Sequence, residues 1–194
     1  ADTHVAVLRD LFVEAPIAHP SVTLRTDALR AVGGYRDGPW PEDYDLWLRG
    51  WRAGWRFAKL PRVLVRQRQH ADRLTWTDPR YSARAFLECK TDHLVEAWGL
   101  AGREVIVWGA GRDGKRAAKA LRRRDVTIRC LVDIAPTKVG RQMLGVEVRG
   151  MEALNPRVDC PVIVAVGVKG ARAEIRAVLD AWGYPEGSAY VCFG

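Results

Sequence analysis

Residues 104–124 read "EVIVWGAGRDGKRAAKALRRR", and this stretch decides the fold. Val105–Trp108 is a short apolar run of the kind that forms a buried strand. Gly109, Gly111 and Gly114 follow in GxGxxG spacing, and a helical pattern opens directly behind them. Such glycines permit a tight turn and close backbone approach, while the start of the helix favours a phosphate. The next apolar run, "VTIRCLVD" at 126–133, ends on an acid, Asp133, 19 residues beyond Gly114. That is the spacing at which a carboxylate accepts hydrogen bonds from a ribose diol. Gly109, Gly111, Gly114 and Asp133 are therefore the candidate nucleotide- or phosphate-binding residues.

The pattern continues outward towards the C-terminus. "VIVAVG" at 162–167 is a third strand, "ARAEIRAVLDAWG" at 171–183 its helix, and "AYVCF" at 189–193 a last strand. Strands alternating with helices of ten or more residues imply a parallel sheet with helices on its faces. The expected fold class is α/β, with a small parallel-sheet Rossmann-like domain over residues 103–194. A span of about 90 residues leaves no room for a second mononucleotide half plus a substrate domain, which argues against a dehydrogenase. An S-adenosylmethionine site uses a similar loop, so a methyltransferase remains a competing expectation.

Towards the N-terminus the pattern is irregular. "SVTLR" at 21–25 is a short strand candidate, and "TDALRAVGGY" at 26–35 reads as a helix. Thr26 or Asp27 stands where an N-cap belongs, and Gly33–Gly34 where the helix ends. "PWPEDYDLWLR" at 39–49 crowds Glu42, Asp43 and Asp45 between tryptophans. Pro41 suits a first helical position, and Glu42 and Asp43 suit a first turn. Asp45 can pair with Arg49 at i, i+4. Tyr44, Trp47, Leu48, Trp51 and Trp55 recur at helical spacing and give one face to bury. "FAKLPRVLVRQRQ" at 57–69 is an extended run, and "YSARAFLECKTDHLVEAW" at 81–98 a long amphipathic helix. "GLAGR" at 99–103 separates two expected domains, residues 1–98 and 103–194.

The formal net charge is +8. Acids are interleaved with the bases, so no specific nucleic-acid surface is expected; plain solvated surface is the leading reading, with peripheral contact with an anionic membrane behind it. No apolar run approaches the roughly 18–20 residues that span a bilayer. The N-terminus lacks a secretory signal pattern and an initiator Met, as a processed chain or a piece of a longer one would. Cys89, Cys130, Cys160 and Cys192 form no CxxC or Cys/His cluster, so neither zinc nor a disulfide framework is expected. The default compartment is a reducing cytoplasm, extending to the inner face of the membrane.

The run from His19 to His70, "HPSVTLRTDALRAVGGYRDGPWPEDYDLWLRGWRAGWRFAKLPRVLVRQRQH", resembles the C-terminal half of the catalytic domain of inverting GT-A (family 2-like) bacterial glycosyltransferases. The resemblance covers about residues 17–75. It implies a partial GT-A α/β segment in residues 1–98, forming the acceptor side. Asp43 would be the general base, with Glu42, Trp40 and His19 at the acceptor site and His70 holding the metal or diphosphate. It implies transfer of a sugar from a nucleotide-sugar to a glycan or lipid-linked acceptor with inversion, assisted by Mg²⁺ or Mn²⁺. The family's nucleotide-binding half and Asp-x-Asp are absent, so the chain alone would be inactive. The second half, with "LVDIAPTKVGRQMLGVEV" and "VIVAVGVKGARAEIRAVL", resembles small Rossmann-like domains of sugar acyltransferases and sugar methyltransferases. The alternative function is a non-catalytic nucleotide-sugar-binding or assembly module.

Overall fold

The computed structural model describes residues 3–68 and 70–194. The chain divides into two compact units, Ala1–Ala97 and Trp98–Gly194.

The second unit is a Rossmann-like α/β fold with a mostly parallel six-stranded sheet. In chain order it contains β1 (Glu104–Trp108), β2 (Thr127–Val132), β3 (Gln142–Met143), β4 (Val146–Arg149), β5 (Val162–Val164) and β6 (Tyr190–Cys192). The spatial order is β3-β4-β2-β1-β5-β6. All neighbours are parallel except β3 and β4. Val105–Trp108 and Val162–Val164 are buried without alternation, because an inner parallel strand is covered on both faces. Helix α6 (Arg112–Arg122) turns Ala117, Ala118, Ala120 and Leu121 inward and leaves its bases outside. The β3–β4 hairpin is a feature that the residue pattern did not announce. Leu144 and Gly145 both take positive φ, 53° and 72°, as a two-residue hairpin turn with right-handed twist requires. The Leu144 carbonyl accepts a hydrogen bond from Arg122 Nη1 at 2.7 Å.

The first unit is built of α1 (Thr3–Asp10), α2 (Thr26–Ala31), α3 (Glu42–Arg52), α4 (Leu74–Thr77) and α5 (Ala83–Trp98). In the second unit α6 follows β1, and α7 (Ala171–Ala181) follows β5. The apolar centre of the first unit is Leu11, Tyr44, Leu46, Trp47, Leu48 and Leu94, each fully buried. Helix α3 is followed by Gly54, whose φ of 79° lets the Trp55 N–H return to the Gly50 carbonyl. Arg25, not Thr26 or Asp27, occupies the N-cap of α2, and Pro41 the N-cap of α3.

Several expectations for this unit are corrected. Among the described residues it has no strand. "SVTLR" ends a short 3₁₀ turn at His19–Ser21 and runs on without sheet pairing. Residues 57–68 form no strand, and Leu60, Val63 and Leu64 are largely exposed; Gln69 lies outside the described residues. Apolar and β-branched residues become a strand only when a neighbouring strand takes up their N–H and C=O groups. The strands on which the GT-A resemblance depends are therefore not formed. No helix among the described residues is long and apolar enough to cross a membrane.

Candidate functional site

The three glycines of the loop owe their identity to three different circumstances. Gly109 has φ 128°, and a Cβ there would lie 2.4 Å from the Ala165 carbonyl oxygen. Gly114 faces Gly109 so closely that a Cβ would lie 1.7 Å from its carbonyl oxygen. Both are fixed by packing between β1, the segment after β5 and α6. Gly111 is different: a Cβ there would meet nothing within 4 Å, and its φ of −84° is open to any residue. It forms the N-cap of α6 without any side-chain cap. The first N–H groups of a helix have no intrahelical acceptor and carry its positive dipole end, so this opening suits an anion.

Asp133, just past β2, is tied into the loop rather than left free. Its Oδ2 accepts from the Ala110 N–H and from Lys138 Nζ, both at 2.9 Å. Its Oδ1 accepts from the Ala135 N–H at 2.9 Å. Burial alone would raise its pKa. The Lys138 ammonium, with the Ala135 and Ala110 N–H groups, outweighs burial and holds the carboxyl below its ordinary value. Three donors leave about one of a carboxylate's four acceptor positions for a ligand. Lys138 escaped the sequence reading; its signal was a lysine in the "APTK" turn, five residues beyond the acid.

Asp113 in the first turn of α6 is held by Arg112 at 3.3 Å and Arg116 at 3.9 Å. Gly167 faces it, since a Cβ at 167 would lie 2.5 Å from Asp113 Oδ2. Ile134 and Val168 stand 70% and 68% exposed where the chain leaves β2 and β5. Those strands flank β1 on opposite sides. The loop thus lies where the strand order reverses, at the carboxyl ends of the strands, the usual ligand crevice of open α/β sheets.

The candidates in the first unit form a separate group. His19 Nε2 and the Tyr35 hydroxyl share a hydrogen bond of 2.7 Å. The Tyr81 hydroxyl donates to Glu42, 2.8 and 2.7 Å from its two oxygens. Asp43 Oδ1 accepts from the Tyr44 N–H at 2.7 Å. Burial first, then the Glu42 charge, push the Asp43 carboxyl up, against the Tyr44 N–H and His19. Trp40 lies over Gly38, where a Cβ would come within 2.3 Å of its ring. Its Nε1 is buried without a hydrogen-bond partner. His70 is exposed. Among the described residues, the donor group with metal-ligand proximity is Asp45, Cys89 and His93, and it does not include His70.

Residues 102–185 match the family model described as "CoA binding domain". No curated protein matches the chain. Among solved structures, one similar chain is RSP, a Rex-family repressor, at 22% identity and TM-score 0.39, covering 49% of this chain and 48% of that one. RSP in complex with beta-NADH is similar at 18% identity and TM-score 0.38, covering 52% of this chain and 58% of that one. The chain thus spans about half the length of these structures. The family match overturns the glycosyltransferase assignment, its activity and the kinship with sugar-modifying enzymes. The segment that matches this family model carries the glycine loop, Asp133 and Lys138.

Proposed function

We propose that residues 103–194 are a non-catalytic binding module for an adenine nucleotide of the coenzyme A type. The observation that carries this reading is Gly111. Packing and backbone angle account for Gly109 and Gly114, whereas the missing side chain at 111 serves no contact within the fold. It leaves the start of α6 open to a ligand phosphate. Gly109 and Gly114 hold the loop shape, and Asp133 clamps the loop through Ala110. Lys138 brings a cation to the same carboxylate and is positioned to meet the anionic ligand. Ile134 and Val168 offer apolar surface to a base.

Isothermal titration with coenzyme A tests this, with a nucleoside-diphosphate sugar as comparator. Gly111→Val is expected to keep the melting temperature near that of the wild type, because a Cβ there meets nothing within 4 Å and the φ of −84° suits any residue. It is expected to weaken coenzyme A binding by about 10-fold or more, since one lost anion contact of about 1.4 kcal/mol already gives that factor. Absence of heat at millimolar coenzyme A, or undiminished binding by Gly111→Val, would reject the site.

A further inference from the structure

Helices α3 and α5 of the first unit share a buried cluster that the nucleotide site does not use. Cys89 and His93 stand four residues apart on α5, one above the other on a single helix face. Asp45 of α3 meets them, and one donor atom from each of the three lies within 4.8 Å of the others. All three residues are buried, Asp45 to 4%, Cys89 to 3% and His93 to 8% exposure. His93 Nε2 lies 2.9 Å from Asp45 Oδ1. Its Nδ1 is buried with no hydrogen-bond partner.

We propose that Asp45, Cys89 and His93 bind one zinc-type divalent cation that ties α3 to α5. Thiolate, imidazole and carboxylate are the ligand types of tetrahedral zinc sites, and their mixture of soft and borderline donors disfavours magnesium or calcium. Bond lengths of 2.0–2.3 Å place neighbouring donors about 3.5 Å apart, so a spread of 4.8 Å closes with an adjustment on the order of 1 Å. Arg49 is compatible with the cation, because it occupies the other face of the carboxylate. Its Nε donates to Asp45 Oδ2 at 2.8 Å, and its Nη atoms are committed to the Val32 and Gly34 carbonyls at 2.5 and 2.8 Å. Asp45 Oδ1 remains on the side of His93.

The test uses the full chain and Co²⁺ as a spectroscopic stand-in for zinc. Expected are a thiolate-to-cobalt charge-transfer band saturating at one equivalent, its loss on adding Zn²⁺, and retention of one zinc in native mass spectrometry. Cys89→Ser should abolish the band, and His93→Gln should weaken binding by about 10–100-fold or more. Cys130→Ser, in the other unit, should leave the titration unchanged. A band that persists in Cys89→Ser, or a wild-type chain that retains no zinc at stoichiometric metal, overturns the proposal. Should both variants fail to fold, the wild-type mass measurement alone decides it.

Discussion

The two units satisfy their buried backbone groups by different means. In the sheet unit the ladder does it: Ile106 N–H reaches Pro161, Gly109 N–H reaches Val132 and Ala165 N–H reaches Trp108, all at 2.7–2.9 Å. In the helical unit long side chains do it one carbonyl at a time. Arg49 serves Val32 and Gly34, Lys90 serves Phe12 at 2.9 Å, and the Tyr44 hydroxyl serves Leu11 at 2.6 Å. A ladder spreads its contribution over many equivalent bonds, so one substitution removes little of it. A buried cation that props two turns concentrates its contribution in one residue. The first kind of order repeats with the chain period, and the second depends on residues 15 to 78 positions apart.

The largest expected effect follows from that concentration. Arg49→Met takes from the buried Asp45 carboxylate one of its two partners, leaving His93, and strands two carbonyls; removing one partner of a buried ion pair costs about 3–5 kcal/mol. Hydrogen exchange followed by mass spectrometry should show lost protection across residues 26–52, while amides of β1 keep theirs. Equal loss of protection in β1 would break the contrast between the units.

The next effect lies in the sheet unit, at the crowded start of α6. Gly114→Ala drives a methyl group into the Gly109 carbonyl, and overpacking against backbone costs about 3 kcal/mol. Gly111→Ala meets no neighbour and should cost less than about 1 kcal/mol, the scale of an altered helix cap. Urea unfolding of the two variants measures the difference. Similar losses from both would mean that the loop is constrained as a whole, and the special standing of Gly111 would fall.

The same division explains what the sequence disclosed. β1, α6 and β2 were legible because strand burial and helix periodicity are written in neighbouring residues, and the GxGxxG spacing fixed the turn between them. The β3–β4 hairpin was not legible, since its strands of two and four residues carry no period. Lys138 was missed because its role exists only through Asp133, which it meets across a turn. In the helical unit, His93 stood 48 residues from Asp45, and no local spacing joins them. Apolar runs at 21–25 and 57–68 invited strands, but local propensity could not supply the partners that the described residues lack. The GT-A resemblance inherited that error, because it was carried by the order of those same segments.

The smallest effect separates the units by the sign of a pH dependence. Asp133 in the sheet unit is held below its ordinary pKa of 3.8 in the fold, so the unfolded chain binds its proton first. Its contribution to stability is present above about pH 4 and is lost as pH falls through the lowered folded value. Asp43 in the helical unit is pushed above 3.8 by burial and by Glu42, so the folded chain binds its proton first. Its ionised form opposes folding at neutral pH, and that cost is relieved as pH falls through the raised folded value towards the ordinary one. Relative to wild type, Asp133→Asn should therefore be less stable at about pH 7, with the deficit shrinking towards about pH 3. Asp43→Asn should be equally or slightly more stable at about pH 7, with the advantage vanishing over the same range. Each difference should stay below about 1–2 kcal/mol because both carboxyls retain some solvent screening. Urea titrations of the three chains at a series of pH values read the two slopes directly. Slopes of the same sign would show that Asp43 is held as a stabilised carboxylate like Asp133, and the electrostatic contrast between the units would be lost.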